Sequence, residues 1–232
     1  ITSGSEPLFE GCTFVDNSAE SGGAVHLTLS TATFDDVDFR DNEATTGQGG
    51  AMWSGSSAVT VWGGSLNSNS SALGGGAIFS QEDTLFAIDM ATISGNQSAI
   101  SEGGAVLVDT ANEVSIQETT FNSNQAWLMG GAMAVHGALT LEIEESVFEG
   151  NTSEEEDGGG GALAIHQSNV TIAAAEFSAN EADGNGGAVL SIDSDVVTEE
   201  SNFDFNATRA HGGAWHHHGG TATFTNSQFE RN

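Results

Sequence analysis

The sequence predicts an all-β fold: a right-handed parallel β-helix (β-solenoid) of about eight coils of ~27 residues, with three short strands per coil. Three observations carry this prediction. The tripeptide Gly-Gly-Ala recurs eight times, opening at Gly22, Gly49, Gly75, Gly103, Gly130, Gly160, Gly186 and Gly212, in steps of 27, 26, 28, 27, 30, 26 and 26 residues. A second signature, an apolar residue followed two positions later by an unspecified residue and then Asn, keeps the same period over the whole chain. Between the two lie only short alternating apolar runs bounded by Gly, Asn, Ser and Asp, and none has helical length.

Three runs fit each period. The first follows the glycines, as in Val25/Leu27, Val106/Val108, Met133/Val135 and Leu163/Ile165. The second is of the Val59-Thr60-Val61 type and repeats as Val114-Ser115-Ile116, Leu139-Thr140-Leu141 and Val170-Thr171-Ile172. The third holds the Phe column. Each strand then pairs with its equivalent one coil on, ~4.8 Å away, and the crossover rule makes the coil right-handed. One domain over 1–232 is expected, with an irregular lead-in at 1–8 and repeats over 9–232.

Stacked coils turn equivalent positions into columns. Val25, Met52, Ile78, Val106, Met133, Leu163, Val189 and Trp215 point inward after the alanine. Phe14, Phe39, Phe121, Phe148, Phe177, Phe203 and Phe229, with Leu66 and Ile93 between them, form a second inward stack. Cys12 opens a small-residue column two positions earlier and reads as core rather than as a reactive thiol. Asn17, Asn42, Asn69, Asn96, Asn124, Asn151, Asn180 and Asn206 lie where the chain turns, where Asn tolerates left-handed backbone and can form an amide ladder. These columns are scaffold.

Composition narrows function. With 33 Asp and Glu against 3 Lys and Arg the formal charge is −30, which excludes nucleic-acid binding and disfavours anionic membranes. There is no lysine for a phosphate loop or a Schiff base, and no apolar run is long enough to insert in a membrane. One cysteine cannot close an internal disulfide.

The paired Gly-Gly-Ala-(Val/Ile/Leu) and Phe-x-x-Asn motifs resemble the repeats of the chlamydial polymorphic outer-membrane proteins and of related bacterial surface proteins. The resemblance covers residues 8 to 232. It implies a secreted, surface-displayed, often adhesive β-helix with both motifs taking part in adhesion. Leu66 and Ile93 depart from the Phe, Met52 and Trp215 depart at the position after the alanine, and that family's membrane barrel has no counterpart here.

Several residues could carry chemistry. His216 and His218 share a strand face, and an outward His-x-His pair suits a divalent transition metal; His136 and His166 match His218 in two adjacent coils. The bland alternative is a solvated turn. Glu154, Glu155, Glu156 and Asp157 fill the longest insertion, where weak Ca²⁺ binding competes with plain solvation. No other cofactor is expected. Asp35/Asp36/Asp38 and Asp193/Asp195 are candidate acid pairs for glycoside chemistry, but such pairs arise readily in so acidic a chain. Five glycosylation sequons begin at Asn69, Asn96, Asn151, Asn169 and Asn206. The position two after the alanine should face outward, and there Trp53, Phe79, Leu107 and Leu190 suggest a partner-binding stripe unless a loop covers them.

The chain opens at Ile1 and stops on a complete motif, Phe229 to Asn232, as a segment of a longer array or a unit whose ends meet another copy would. The expected function is therefore that of a non-enzymatic, extracellular or cell-surface structural or adhesive solenoid. Its expected partners are itself, head to tail in a filament, or another surface protein or glycan. The alternative is a carbohydrate-active enzyme or carbohydrate-binding β-helix using a lateral groove.

Overall fold

The computed structural model describes the backbone of residues 2–232 and the side chains from residue 4 onward. The chain winds as a parallel β-solenoid of about eight turns. First-run strands such as Val25–Thr28, Met52–Gly55 and Ile78–Gln81 pair in register with their neighbours one coil away, and so do second-run strands such as Thr31–Asp35, Ala58–Trp62 and Leu85–Asp89. Near the C-terminal end the two runs fuse into the continuous strands Val189–Glu199 and Trp215–Thr225, which join both sets into one 16-stranded sheet. The Phe-bearing runs form a 9-stranded sheet, and two-residue strands just after each Asn form an 8-stranded one.

Two expectations about boundaries change. The lead-in at 1–8 is not irregular throughout: Thr2–Ser3 pairs with Leu27–Thr28, and the strand beginning at Leu8 pairs with Thr33–Asp35, because these residues sit one period ahead of the runs they meet. The second run of the fifth coil is centred on Leu141-Glu142-Ile143, opposite Val114-Ser115-Ile116, rather than on Leu139-Thr140-Leu141. Leu139 is instead an exposed turn residue.

The core follows from the columns. Phe39, Phe121, Phe148, Phe177 and Phe203 are fully buried, and the rings from Phe121 to Phe229 stack nearly parallel with centroids 4.6–4.8 Å apart. Strand spacing sets that distance, which also suits face-to-face offset aromatic packing. Leu66 and Ile93 interrupt the stack and leave Phe14 and Phe39 as a separate pair at 4.9 Å.

The asparagines work by hydrogen bonding rather than by left-handed backbone. Positive φ belongs to the residue before each one: Asp16, Asp41, Ser68, Gly95, Ser123, Gly150, Ala179, Phe205 and Arg231. Each amide then holds two coils. Asn124 Nδ2 donates to Ile93 O and to Asn151 Oδ1, both at 3.0 Å, while Asn124 Oδ1 accepts from the Asn96 backbone N–H at 3.0 Å and from Asn96 Nδ2 at 2.9 Å. The same pattern runs from Asn17 to Asn232. A buried amide with every group partnered rigidifies the turn, whereas an unpartnered one would destabilise it.

The glycine pair has two separate jobs. The first glycine takes φ near +60° to +74°, a conformation that L side chains rarely adopt. The second lets backbones touch: a Cβ on Gly131 would lie 2.1 Å from Gly161 O and 2.4 Å from Thr152 O.

Candidate functional sites

The residues of the expected partner stripe do face away from the main core, but most are not exposed. Phe79 is 2% accessible, Leu107 7% and Leu190 3%, and Phe79 and Leu107 form a second small apolar cluster with Ala134 and Ala164. The turns leading into Gly-Gly-Ala cover this face; Gly74 lies so close to Leu107 that a Cβ there would meet Cδ2 at 2.6 Å. Met129 packs on the same cluster. Trp53 alone among the four is half-open, lying along its own strand over Gly55, with His26 stacked on it at 4.3 Å. Strand alternation assigns a face, and the covering turn decides exposure.

The histidines divide into two groups. His136 pairs with Glu102 of the covering turn, and the His166 ring lies 4.8 Å away. Burial opposes the charged form of His136, but the Glu102 hydrogen bond and charge outweigh it and hold the pKa above its ordinary value. The pKa of His166, half-buried and facing His136, is pushed down by that burial and by the neighbouring imidazole. At the C-terminal end His217 turns inward and shares a 2.8 Å hydrogen bond with Ser191, while His218 is exposed and His216 sits 6.3 Å from His211. His216 is lowered by burial and then by the neighbouring histidines. The metal site expected at His216 and His218 finds no third ligand, because the residues beside them in the preceding coil are Leu190 and Ile192. Among the described residues no group of three or more His, Cys, Asp or Glu side chains is placed to hold a metal.

The acid pairs are largely engaged elsewhere. Asp38 accepts from Ser65 Oγ at 2.6 Å, and Asp195 accepts from the backbone and hydroxyl of Thr221. Asp35 and Asp36 edge a shallow recess with Glu10 and Trp62. An acid that sequence reasoning passed over is Asp83, 1% exposed, which accepts from Ser57 N at 2.7 Å and Ser80 Oγ at 2.8 Å. Burial pushes its pKa up against those hydrogen bonds. It occupies the column of Ser30, Ser57, Ser168 and Ser194, in which the hydroxyls of Ser57, Ser168 and Ser194 accept from a backbone N–H of the preceding coil. Of the five sequons, those at Asn69, Asn96, Asn151 and Asn206 use buried ladder amides; only Asn169 is exposed.

A further constellation was absent from the motif reading. From the second coil on, the third residue after each ladder Asn donates its backbone N–H to the coil before it, and this series runs Thr45, Ala72, Ala99, Trp127, Glu154, Asp183, Arg209, with Glu20 at the same position in the first coil. The last four line one lateral recess with Gln125, Thr152 and Glu181, which are themselves register partners in adjacent coils. Its volume is ≈ 540 Å³. Trp127 is 44% exposed. Arg209 Nη1 bonds Asp183 Oδ2 at 2.9 Å, and Gln125 Nε2 bonds Glu154 Oε1. Aligning the repeats on Asn and reading the third residue on would have exposed the change from small to large side chains.

Compared with known protein families, residues 75–232 match the model described as the right-handed beta helix region. No curated protein and no solved structure matches the chain. That match spans well over half of the chain and coincides with the laddered coils from Gly75 onward, so the protein belongs to the right-handed β-helix family.

Proposed function

We propose that the chain is a secreted, non-catalytic structural or adhesive wall at the cell surface, whose coils stack end to end on further coils. The single observation that supports this most is the polarity of the Asn ladder. One Nδ2–H of each ladder amide points toward the Oδ1 of the following coil, from Asn17 through Asn206 to Asn232, while the other, from Asn42 onward, is held by a backbone carbonyl of the coil before. The Asn17 side of the solenoid therefore presents an acceptor and the Asn232 side a donor. The aromatic stack is likewise self-complementary, with Phe14 half-buried on one face and Phe229 open on the other beside Trp215 and Phe224. Such faces fit the next coil whether it belongs to the same polypeptide or to a second copy. A formal charge of −30 would keep neighbouring rods apart laterally.

The family includes enzymes, and the non-catalytic reading leans on the engagement of Asp38 and Asp195 with neighbouring hydroxyls. Negative-stain imaging at several salt and Ca²⁺ concentrations, with antibody labelling of intact cells, tests the proposal. Rods with an axial repeat of ~40 Å, eight coils at the strand spacing, are expected together with labelling before permeabilisation. Single particles under every condition would remove end-to-end stacking, and labelling only after permeabilisation would remove surface display.

A further inference from the structure

We propose that the recess around Trp127 binds a neutral, hydroxyl-rich sugar chain. The site rests on the adhesive reading above for its purpose, while its chemistry is local. After Glu20 in the first coil, the column three after the Asn carries Thr45, Ala72 and Ala99; from there it becomes Trp127, Glu154, Asp183 and Arg209. The backbone is the same in each coil, so the change lies in what the wall presents. Four successive coils at the strand spacing give a track of ~14 Å, long enough for more than one sugar ring and open along its side.

The lining matches the two faces of a sugar. Trp127 offers a flat indole, 44% exposed and stacked on no other ring among the described residues, to the apolar C–H face of a pyranose. Sugar hydroxyls both donate and accept, and both kinds of partner are present. Glu154, Glu181 and Asp183 accept, while Gln125, Thr152 and Arg209 donate. The polar groups are already held by one another across coils, Gln125 with Glu154 and Arg209 with Asp183, so less freedom is lost when ligand arrives. Three carboxylates against one guanidinium repel acidic sugars and leave neutral ones. The recess at Trp62 makes a useful contrast: Glu10, Asp35, Asp36 and Met90 line it, with no donor besides the indole among their side chains.

The test is an array of neutral oligosaccharides of gluco, manno, galacto, xylo and N-acetylated configuration, followed by titration of the strongest binder. At least one oligosaccharide should bind. Trp127→Ala should then lose about tenfold or more in affinity, as loss of an aromatic anchor does. Arg209→Ala should weaken binding too, and Trp62→Ala should leave it unchanged, all three variants keeping the wild-type β spectrum and melting midpoint. The proposal is overturned if no oligosaccharide on the array binds, or if Trp62→Ala costs as much affinity as Trp127→Ala. It is also overturned if the recess captures oligolysine in place of sugar and Arg209→Ala tightens that capture, which would identify a docking site for basic protein segments. Failure here leaves rods and surface labelling untouched, and sugar binding by the isolated chain does not depend on either.

Discussion

Two columns three residues apart in the same turn behave in opposite ways. The Asn column keeps one residue type in every coil, whereas the column from Thr45 to Arg209 changes almost every time. Both sit on the same repeated backbone, and both backbone N–H groups bond to a neighbouring coil. The difference lies in the side chain. An Asn amide is buried and shares four hydrogen bonds with the coils above and below, so replacing Asn124 by an apolar residue strands groups of Asn96 and Ile93 and takes one of two donors from Asn151. The third residue on meets the backbone of the neighbouring coil in every case through its own N–H, whatever its side chain, so that side chain varies. A repeat fold thus separates positions that make the wall from positions that use it, at a resolution of three residues.

The sharpest way to break this comparison is at the ladder. Asn124→Ala takes the side-chain partner from both Asn96 donors and from Ile93 O and leaves Asn151 Oδ1 with only the residue-124 backbone N–H, and is expected to destabilise by about 4–5 kcal/mol, read by denaturant unfolding. Asn124→Asp, which keeps the acceptor and loses both side-chain donors, should recover only part of that loss. A loss under about 1 kcal/mol would show that the ladder is decoration.

The Phe column is the intermediate case. Phe148 is fully buried between two rings at 4.7 Å, yet Leu66 and Ile93 occupy equivalent positions. Phe148→Leu is therefore expected to cost only about 1–1.5 kcal/mol, the size of a tolerated apolar exchange. The same unfolding experiment compares it directly with Asn124→Ala, and equal losses would mean that shape rather than hydrogen bonding selects the ladder residues.

The smallest effect belongs to Asp83, a charged exception in a hydroxyl column. Its pKa is raised on folding, so the folded chain favours the protonated acid; the stability this contributes is present below the ordinary Asp pKa and is lost as pH rises through the folded value. Asp83→Asn keeps the acceptor for Ser57 and should raise the melting midpoint at pH 7 by about 2 °C. That advantage should vanish as pH falls below the unfolded pKa of 3.8. A variant less stable than wild type at pH 7 would mean that the carboxylate is stabilised by its hydrogen bonds.

The coil architecture was legible because two motifs with one period determine what lies above what. Strand alternation also identified the face on which Phe79, Leu107 and Leu190 lie. It could not say what covers that face, since cover depends on how the turn around Gly74 returns over the strand. His216 and His218 lie on one strand as expected, but the residues beside them in the preceding coil are Leu190 and Ile192, which offer a metal nothing. In four of the five sequons, those at Asn69, Asn96, Asn151 and Asn206, the acceptor amide is buried and spent on the ladder, which the sequon pattern alone does not reveal. Trp127 escaped notice because its signal is a change within a column, invisible to any search for a recurring motif.

The one-way run of the amides also bears on how such a chain can change over generations. A segment of one full period can be duplicated or deleted, and the cut ends still present a donor to an acceptor and a ring to a ring. An inverted segment would meet acceptor with acceptor, and a segment of partial length must leave the wall as a loop, as the 30-residue step at Gly130 to Gly160 does around Glu154 to Asp157. Length is therefore an easily inherited variable in this protein, gained or lost a whole coil at a time, while orientation is not.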